Sequence, residues 1–308
     1  MGSRRAAGVL FLSLIVAVSG CGTAAIDHST VTALGDDAIT VGSFNFGESE
    51  VLAEIYSQAL EAGGYDVERA FRLGTREFVA PALAEGLVEL VPEYAGTALQ
   101  FLSLGHDRVA ADVAATHAAL VRAAAASGIT VLAAAPAQDA NTFVVTQATA
   151  DRWGLRTVSD LAPVAAGMTF GGPPECPGRD LCLAGLEHVY HLSFDAFLAL
   201  DTGGPLTRQA LADGYADVVV LFTTDPAIAT GELVALEDDR GLQPAENVTP
   251  LIRTEVVDRW GDDVVDRIDL VSRRLTTGDL RGLNAELLKP GATVRRVAAA
   301  WLEAEGLT

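Results

Sequence analysis

Residues 87–98 read LVELVPEYAGTA. An apolar run of the kind that buried strands use meets Pro92. A carboxylate, a phenol and a hydroxyl follow at once: Glu93, Tyr94 and Thr97. Proline has no N–H for a ladder, so a strand over 88–91 is expected to end there, with Pro92 and Glu93 opening a helix. The same change from apolar strand to polar-aromatic loop occurs twice more. One case is GSFNFGES (42–49), which follows the strand-like AITVG. The other is Phe222-Thr223-Thr224-Asp225, at the end of the continuous apolar run DVVVLF (217–222). A run with no alternation fits a strand covered on both faces.

Helical periods lie between these strands. Val51, Leu52, Ile55, Ala59 and Leu60 share one helix face, and Gly63-Gly64 stops it. Thr75 suits an N-cap for a helix reaching Ala84. An alanine-rich helix is expected over 110–126, and others over 183–190 and 206–212. From about residue 254 the chain reads as mostly helical, with TTGDL (276–280) as one start. Strand–helix units joined by short loops predict an α/β protein with mixed, mostly parallel sheets. Ligands in such folds bind at loops past the strand carboxyl ends, so the three polar-aromatic loops predict one shared cleft.

Composition excludes several classes. The chain has 308 residues, half of them hydrophobic, enough for a large core. Its 41 acidic against 21 basic residues leave a formal charge of −20, which repels phosphate backbones and argues against nucleic acid as a partner. Arg4 and Arg5, the apolar stretch Gly8–Val18 and then Val18-Ser19-Gly20-Cys21 have the layout of a secretory signal peptide over 1–20. Small residues ending at a cysteine resemble a bacterial lipobox. Cys21 is therefore the expected lipidation site, and 21–37 a tether to the outer face of the cell membrane. Cys176 and Cys182 sit close together in ECPGRDLC; in an exported chain such a pair is most simply a disulfide.

Signs of covalent chemistry are sparse. GxSxG, P-loop and HExxH motifs are absent. His188 and His191 stand three apart on an expected helix end, but no third ligand lies near them in sequence, so no metal or other cofactor is expected. Ser43, Thr223 and Thr224 are nucleophile candidates by position only. Glu175 and Arg179, four apart in GGPPECPGRD, read equally as a ligand-binding pair and as a local surface ion pair.

Across residues 38–303 the chain resembles the periplasmic or lipid-anchored substrate-binding proteins of ABC importers for glycine betaine, choline and related osmoprotectants. The resemblance is carried by ITVGSFNFGESEVLAEIYSQALEAGGY, LGTREFVAPALAEGLVELVPEYAGTAL, APAQDANTFVVT, MTFGGPPECPGRDLCLAGLEHVY, LDTGGPLTRQALADGYADVVVLFTTDP and LEDDRGLQPAENVTPLIR, in that order. It implies a two-lobed clamshell that closes on a solute by hinge motion, with no enzymatic step. Lobe 1 would be 38–137 plus 248–308 and lobe 2 would be 138–247, with crossovers at 136–141 and 243–249. It also implies a monomer that passes its solute to a permease and the associated ATPase.

In such proteins an aromatic cage holds a quaternary ammonium by cation–π contact. By resemblance, Tyr94 is a cage tyrosine and Thr97 a polar contact. Glu175 and Arg179 match a second-lobe pair, Arg179 suiting a ligand carboxylate. Ser43 and Asn45, Asn141 and Phe143, and Phe222 and Thr223 complete the expected contacts. The departures are specific. Phe44 replaces a lysine, Val91 an aromatic, and Phe143 and Phe222 two tyrosines; the crossover QPAENV lacks its aromatic. A cage thinned in this way leaves room for a different polar or aromatic solute, or for an exported enzyme on the same fold.

Overall fold

The computed structural model describes residues 37–106 and 112–308. The expected signal peptide, Cys21 and the tether up to residue 36 lie outside the described residues. Among those described, no helix is long and apolar enough to cross a membrane.

In chain order the elements begin with β1 (Ala38–Gly42), α1 (Gly47–Ala62), β2 (Asp66–Ala70) and α2 (Arg76–Ala84). Then come β3 (Leu90–Tyr94), α3 (Ala95–Leu102), α4 (Val113–Ala125) and β4 (Ile129–Val131). The middle of the chain forms β5 (Asn141–Thr146), α5 (Gln147–Trp153), β6 (Thr169–Gly172), α6 (Leu183–Tyr190), β7 (Ala196–Ala199), α7 (Pro205–Ala212), β8 (Val218–Phe222) and β9 (Leu233–Ala235). The chain closes with β10 (Val248–Arg253), α8 (Thr254–Trp260), α9 (Asp262–Arg274), α10 (Thr277–Leu287) and α11 (Val294–Ala304).

These strands build two five-stranded sheets, ordered β2-β1-β3-β10-β4 and β7-β6-β8-β5-β9. Each sheet has a parallel half and an antiparallel half. β1 runs parallel to β2 and β3, and β10 runs antiparallel to β3 and β4. In the second sheet β6 runs parallel to β7 and β8, and β5 antiparallel to β8 and β9. The antiparallel strand of each sheet is the one entered from the other, so the same step that carries the chain across also reverses its direction.

The two crossing segments pair as a ribbon. Ala135 N–H donates to Val248 O (2.8 Å), Val248 N–H to Ala137 O (3.0 Å) and Asp139 N–H to Glu246 O (3.0 Å). Core clusters cover both faces of both sheets. Helix α1 is buried on most sides, Glu54 included, because Arg69 on β2 meets that carboxylate at 2.7 Å. The helix start at TTGDL forms as a capping box between Thr276 and Asp279.

The strand at the opening motif does not stop at proline. β3 runs through Pro92 and Glu93 to Tyr94, and Pro92 lies opposite Pro250 of β10. Two residues that lack N–H groups face one another at a pair that exchanges no ladder bonds, so neither proline interrupts the sheet. The helix begins one residue beyond Tyr94. The alanine-rich helix α4 is likewise shorter than expected, starting at Val113 under an Asp112 cap.

Candidate functional site

The carboxyl ends of β1, β3, β6 and β8 converge with the crossing ribbon on one cavity of about 110 Å³. Its aromatic wall comes from both sheets. Phe46, at the N-terminus of α1, stacks on Phe44 (5.9 Å between centroids), Tyr94 (6.2 Å) and Phe222 (5.4 Å). The contact with Phe222 reaches from the first sheet to the second. Arg76, at the start of α2, lies over Phe44 at 4.9 Å and donates twice to Glu93, at 3.0 and 2.8 Å.

Beside the aromatic wall is a buried polar network. The Tyr94 hydroxyl donates to Glu48 Oε1 at 2.7 Å. Thr224 Oγ1 and Asn284 Nδ2 each donate to Glu48 Oε2 at 2.6 Å. Asp139, on the crossing ribbon, hydrogen-bonds Glu48 and accepts from Thr223 Oγ1 (3.1 Å) and Thr224 N–H (3.0 Å). Burial, and then the charge of Glu48, push the Asp139 carboxyl well above its ordinary value. The same two causes hold the Tyr94 phenol protonated, as a donor must be. Glu48, Tyr94 and Asn284 belong to elements of the first sheet's side and Thr224 to the second, so the network joins the two halves.

Glu246 is the second carboxylate of the ribbon. Its Oε2 accepts from Gly96 and Thr97 N–H, each at 3.1 Å, and Thr97 Oγ1 contacts Oε1. It therefore caps the N-terminus of α3, where aligned peptide dipoles favour negative charge. Burial nevertheless raises its pKa to about 7. Gly96 is required for this approach: a Cβ there would lie 2.2 Å from Pro244 and 3.0 Å from Ala245 O.

Seven of the expected contacts line the cavity: Asn45, Tyr94, Thr97, Asn141, Glu175, Arg179 and Phe222. Three do not. Ser43 is fully buried, donating to Phe44 O and accepting from Arg72 N–H. Phe143 points into the core of the second sheet against Phe170, because alternation along β5 turns it from the cavity. Thr223 serves Asp139 and Ala140 N–H instead. Arg179 does not pair with Glu175. It reaches across to Glu77 on α2 at 2.6 Å, and Glu175 has no ion-pair partner among the described residues.

Phe46, Arg76, Asp139 and Glu246 are cavity residues that no motif or spacing singles out. The doublet Phe44-Asn45-Phe46 was a usable signal for the first. The crossover QPAENV, read for the aromatic it lacks, also carries the carboxylate of Glu246.

Cys176 and Cys182 are bonded to one another, and both line the cavity. The bridge ties down the loop that presents Glu175 and Arg179. Non-reducing peptide mapping is expected to recover the linked pair. Replacing both cysteines by serine is expected to cost roughly 2 kcal/mol in a urea melt, the loop-closure value for so short a span. An unchanged melt would show that the loop is ordered without its bridge.

Two α/β lobes with a small-molecule cavity at their strand ends define a periplasmic-type solute-binding protein. Residues 37–304 match the substrate binding domain of the ABC-type glycine betaine transport system, and the chain belongs to that family. It is the substrate-binding component of a transport system rather than an enzyme. A glycine-betaine-binding protein of Pseudomonas aeruginosa is 29% identical over 279 residues, covering 86% of this chain and 87% of that one. The glycine betaine-binding protein YehZ of Escherichia coli is 26% identical, covering 88% and 91%. The crystal structure of a glycine betaine/carnitine/choline ABC transporter component superposes with a TM-score of 0.69 at 21% identity, covering 87% of this chain and 99% of that one.

Proposed function

We propose that this protein captures a small quaternary amine in the interlobe cavity and delivers it to an ABC permease from outside the cell, anchored by lipid on Cys21. In this reading lobe 1 is 38–137 with 248–308, and lobe 2 is 138–247. The observation that carries it is the aromatic wall assembled from both sheets, Phe46 and Tyr94 from one and Phe222 from the other, beside an excess of carboxylates. A methylated ammonium gains cation–π contact with such rings, roughly 0.5–2 kcal/mol each when desolvated. Bringing Phe46 and Phe222 together requires the lobes to close, so ligand binding and closure are one event. The relatives' names point the same way.

Thermal shift on the chain from residue 22 tests this. At a hundredfold excess over Kd, choline, glycine betaine or carnitine should add about 2.7 kcal/mol of stability. If none of the three raises the melting temperature, quaternary amines are not the cargo. Mass analysis of membrane-extracted protein tests the anchor: an unmodified Cys21 thiol would remove it.

A further inference from the structure

A solute cavity can be read by its charges as well as by its rings. Two guanidiniums face this one, and each already has a carboxylate. Arg76 holds Glu93 in a two-bond clasp, both side chains almost entirely buried. Arg179 is held by Glu77 at 2.6 Å. The cavity also faces Glu175 and Glu246, neither with a salt-bridge partner among the described residues, and Asp139, whose upward-shifted carboxyl adds no charge near neutrality. The balance at the cavity wall is therefore negative. No cation is left whose charge a ligand carboxylate could neutralise without breaking an existing pair.

We infer that Glu246 makes the cavity select a cation that carries no carboxylate, an amino-alcohol of the choline class over a zwitterionic betaine. This rests on the quaternary-amine reading above. Glu246 is the determinant because of where it stands. It occupies the crossover at the cavity wall, held in place by Gly96, Thr97 and the backbone ribbon, and it cannot swing away from a ligand. A trimethylammonium near it gains from its charge, which stands on a side chain only 2% exposed and so is weakly screened. A ligand carboxylate in the same cavity meets Glu175 and Glu246 as like charges, and reaches a guanidinium only in competition with Glu93 or Glu77.

The pH dependence has a defined sign. Arg76 on α2 and Glu93 on β3 face Glu246 in addition to Thr97. Asp139 lies on the paired strand of the ribbon. With its pKa standing at about 7, Glu246 is partly protonated near neutrality before a cation binds. A cation favours the ionised form, so its binding expels a proton. Affinity therefore rises as pH increases through that value. Choline has no proton to lose near neutrality, so the released proton can come only from the protein.

The test is isothermal titration with choline and with glycine betaine, at about pH 6 and about pH 8 and in buffers of different ionisation enthalpy. Expected are choline affinity at least about tenfold above that of glycine betaine, stronger binding at the higher pH, and proton release. Glu246→Gln, which keeps an acceptor for the α3 amides, should narrow the choline-to-betaine ratio and flatten the pH profile. Equal or tighter binding of glycine betaine by the wild type overturns the inference and leaves the proposed function standing. Binding of neither compound overturns both. A choline affinity independent of pH and of Glu246→Gln removes Glu246 as the determinant, and needs no comparison of folds.

Discussion

Tyr94→Ala is expected to lower affinity for a quaternary amine by about a hundredfold in a protein that still folds. Two losses add. The ring leaves the wall it shares with Phe46, which costs one cation–π contact of about 1 kcal/mol. The hydroxyl also leaves Glu48, a carboxylate buried to 5% exposure that then keeps Thr224, Asn284 and Asp139 as partners. A lost hydrogen bond to a buried charge costs about 1.5–3 kcal/mol. The second loss enters Kd only as far as Glu48 holds Thr224 across the cleft; with that share the two reach up to roughly 3 kcal/mol, or two decades in Kd. Tyr94→Phe separates the two terms: it keeps the ring, so it should lose only the share that belongs to Glu48. Because Thr224 comes from the opposite lobe, that share measures how far the polar network holds the cleft shut. Unchanged affinity in Tyr94→Ala would place the ligand elsewhere.

Arg76→Ala is expected to be the most damaging single change to stability. Glu93 would be left at 3% exposure, facing Glu246 with no countercharge. Removing one partner of a buried pair typically costs about 3–5 kcal/mol, far more than a surface pair contributes. For a chain of this size that is roughly a 10 °C fall in melting temperature. Arg76→Ala combined with Glu93→Gln should recover much of the loss, since the uncompensated charge goes as well. A single-variant loss below about 1 kcal/mol would mean that water reaches Glu93 and screens it.

Legibility followed the range of the forces involved. The α/β class, the start of α10 and the span of α6 depend on side-chain period and capping within one element, and they stand as read. Gly96, seen in the sequence only as part of AGT, marks where the crossover segment packs against a helix start. The errors fell where partners are distant in sequence. Pro92 looked like a terminator because its opposite number, Pro250, is supplied by the far end of the chain. Arg179 looked like a partner for nearby Glu175, but Glu77 is nearer in space. Phe143 was placed in the cavity by analogy of position, and β-strand alternation sends it into the core.

By itself, then, the sequence settled the alternation of strands and helices, the polar-aromatic loops at the strand ends and the pairing of Cys176 with Cys182. Each of these is local and follows from residue type and spacing. Tertiary structure alone decided which of those loops share a cavity, which guanidinium meets which carboxylate, and that Glu246 and Asp139 stand together on the ribbon between the lobes. The reason is that a charge's worth depends on its burial and its neighbours, and here those neighbours are gathered from segments as far apart as Glu48 and Asn284.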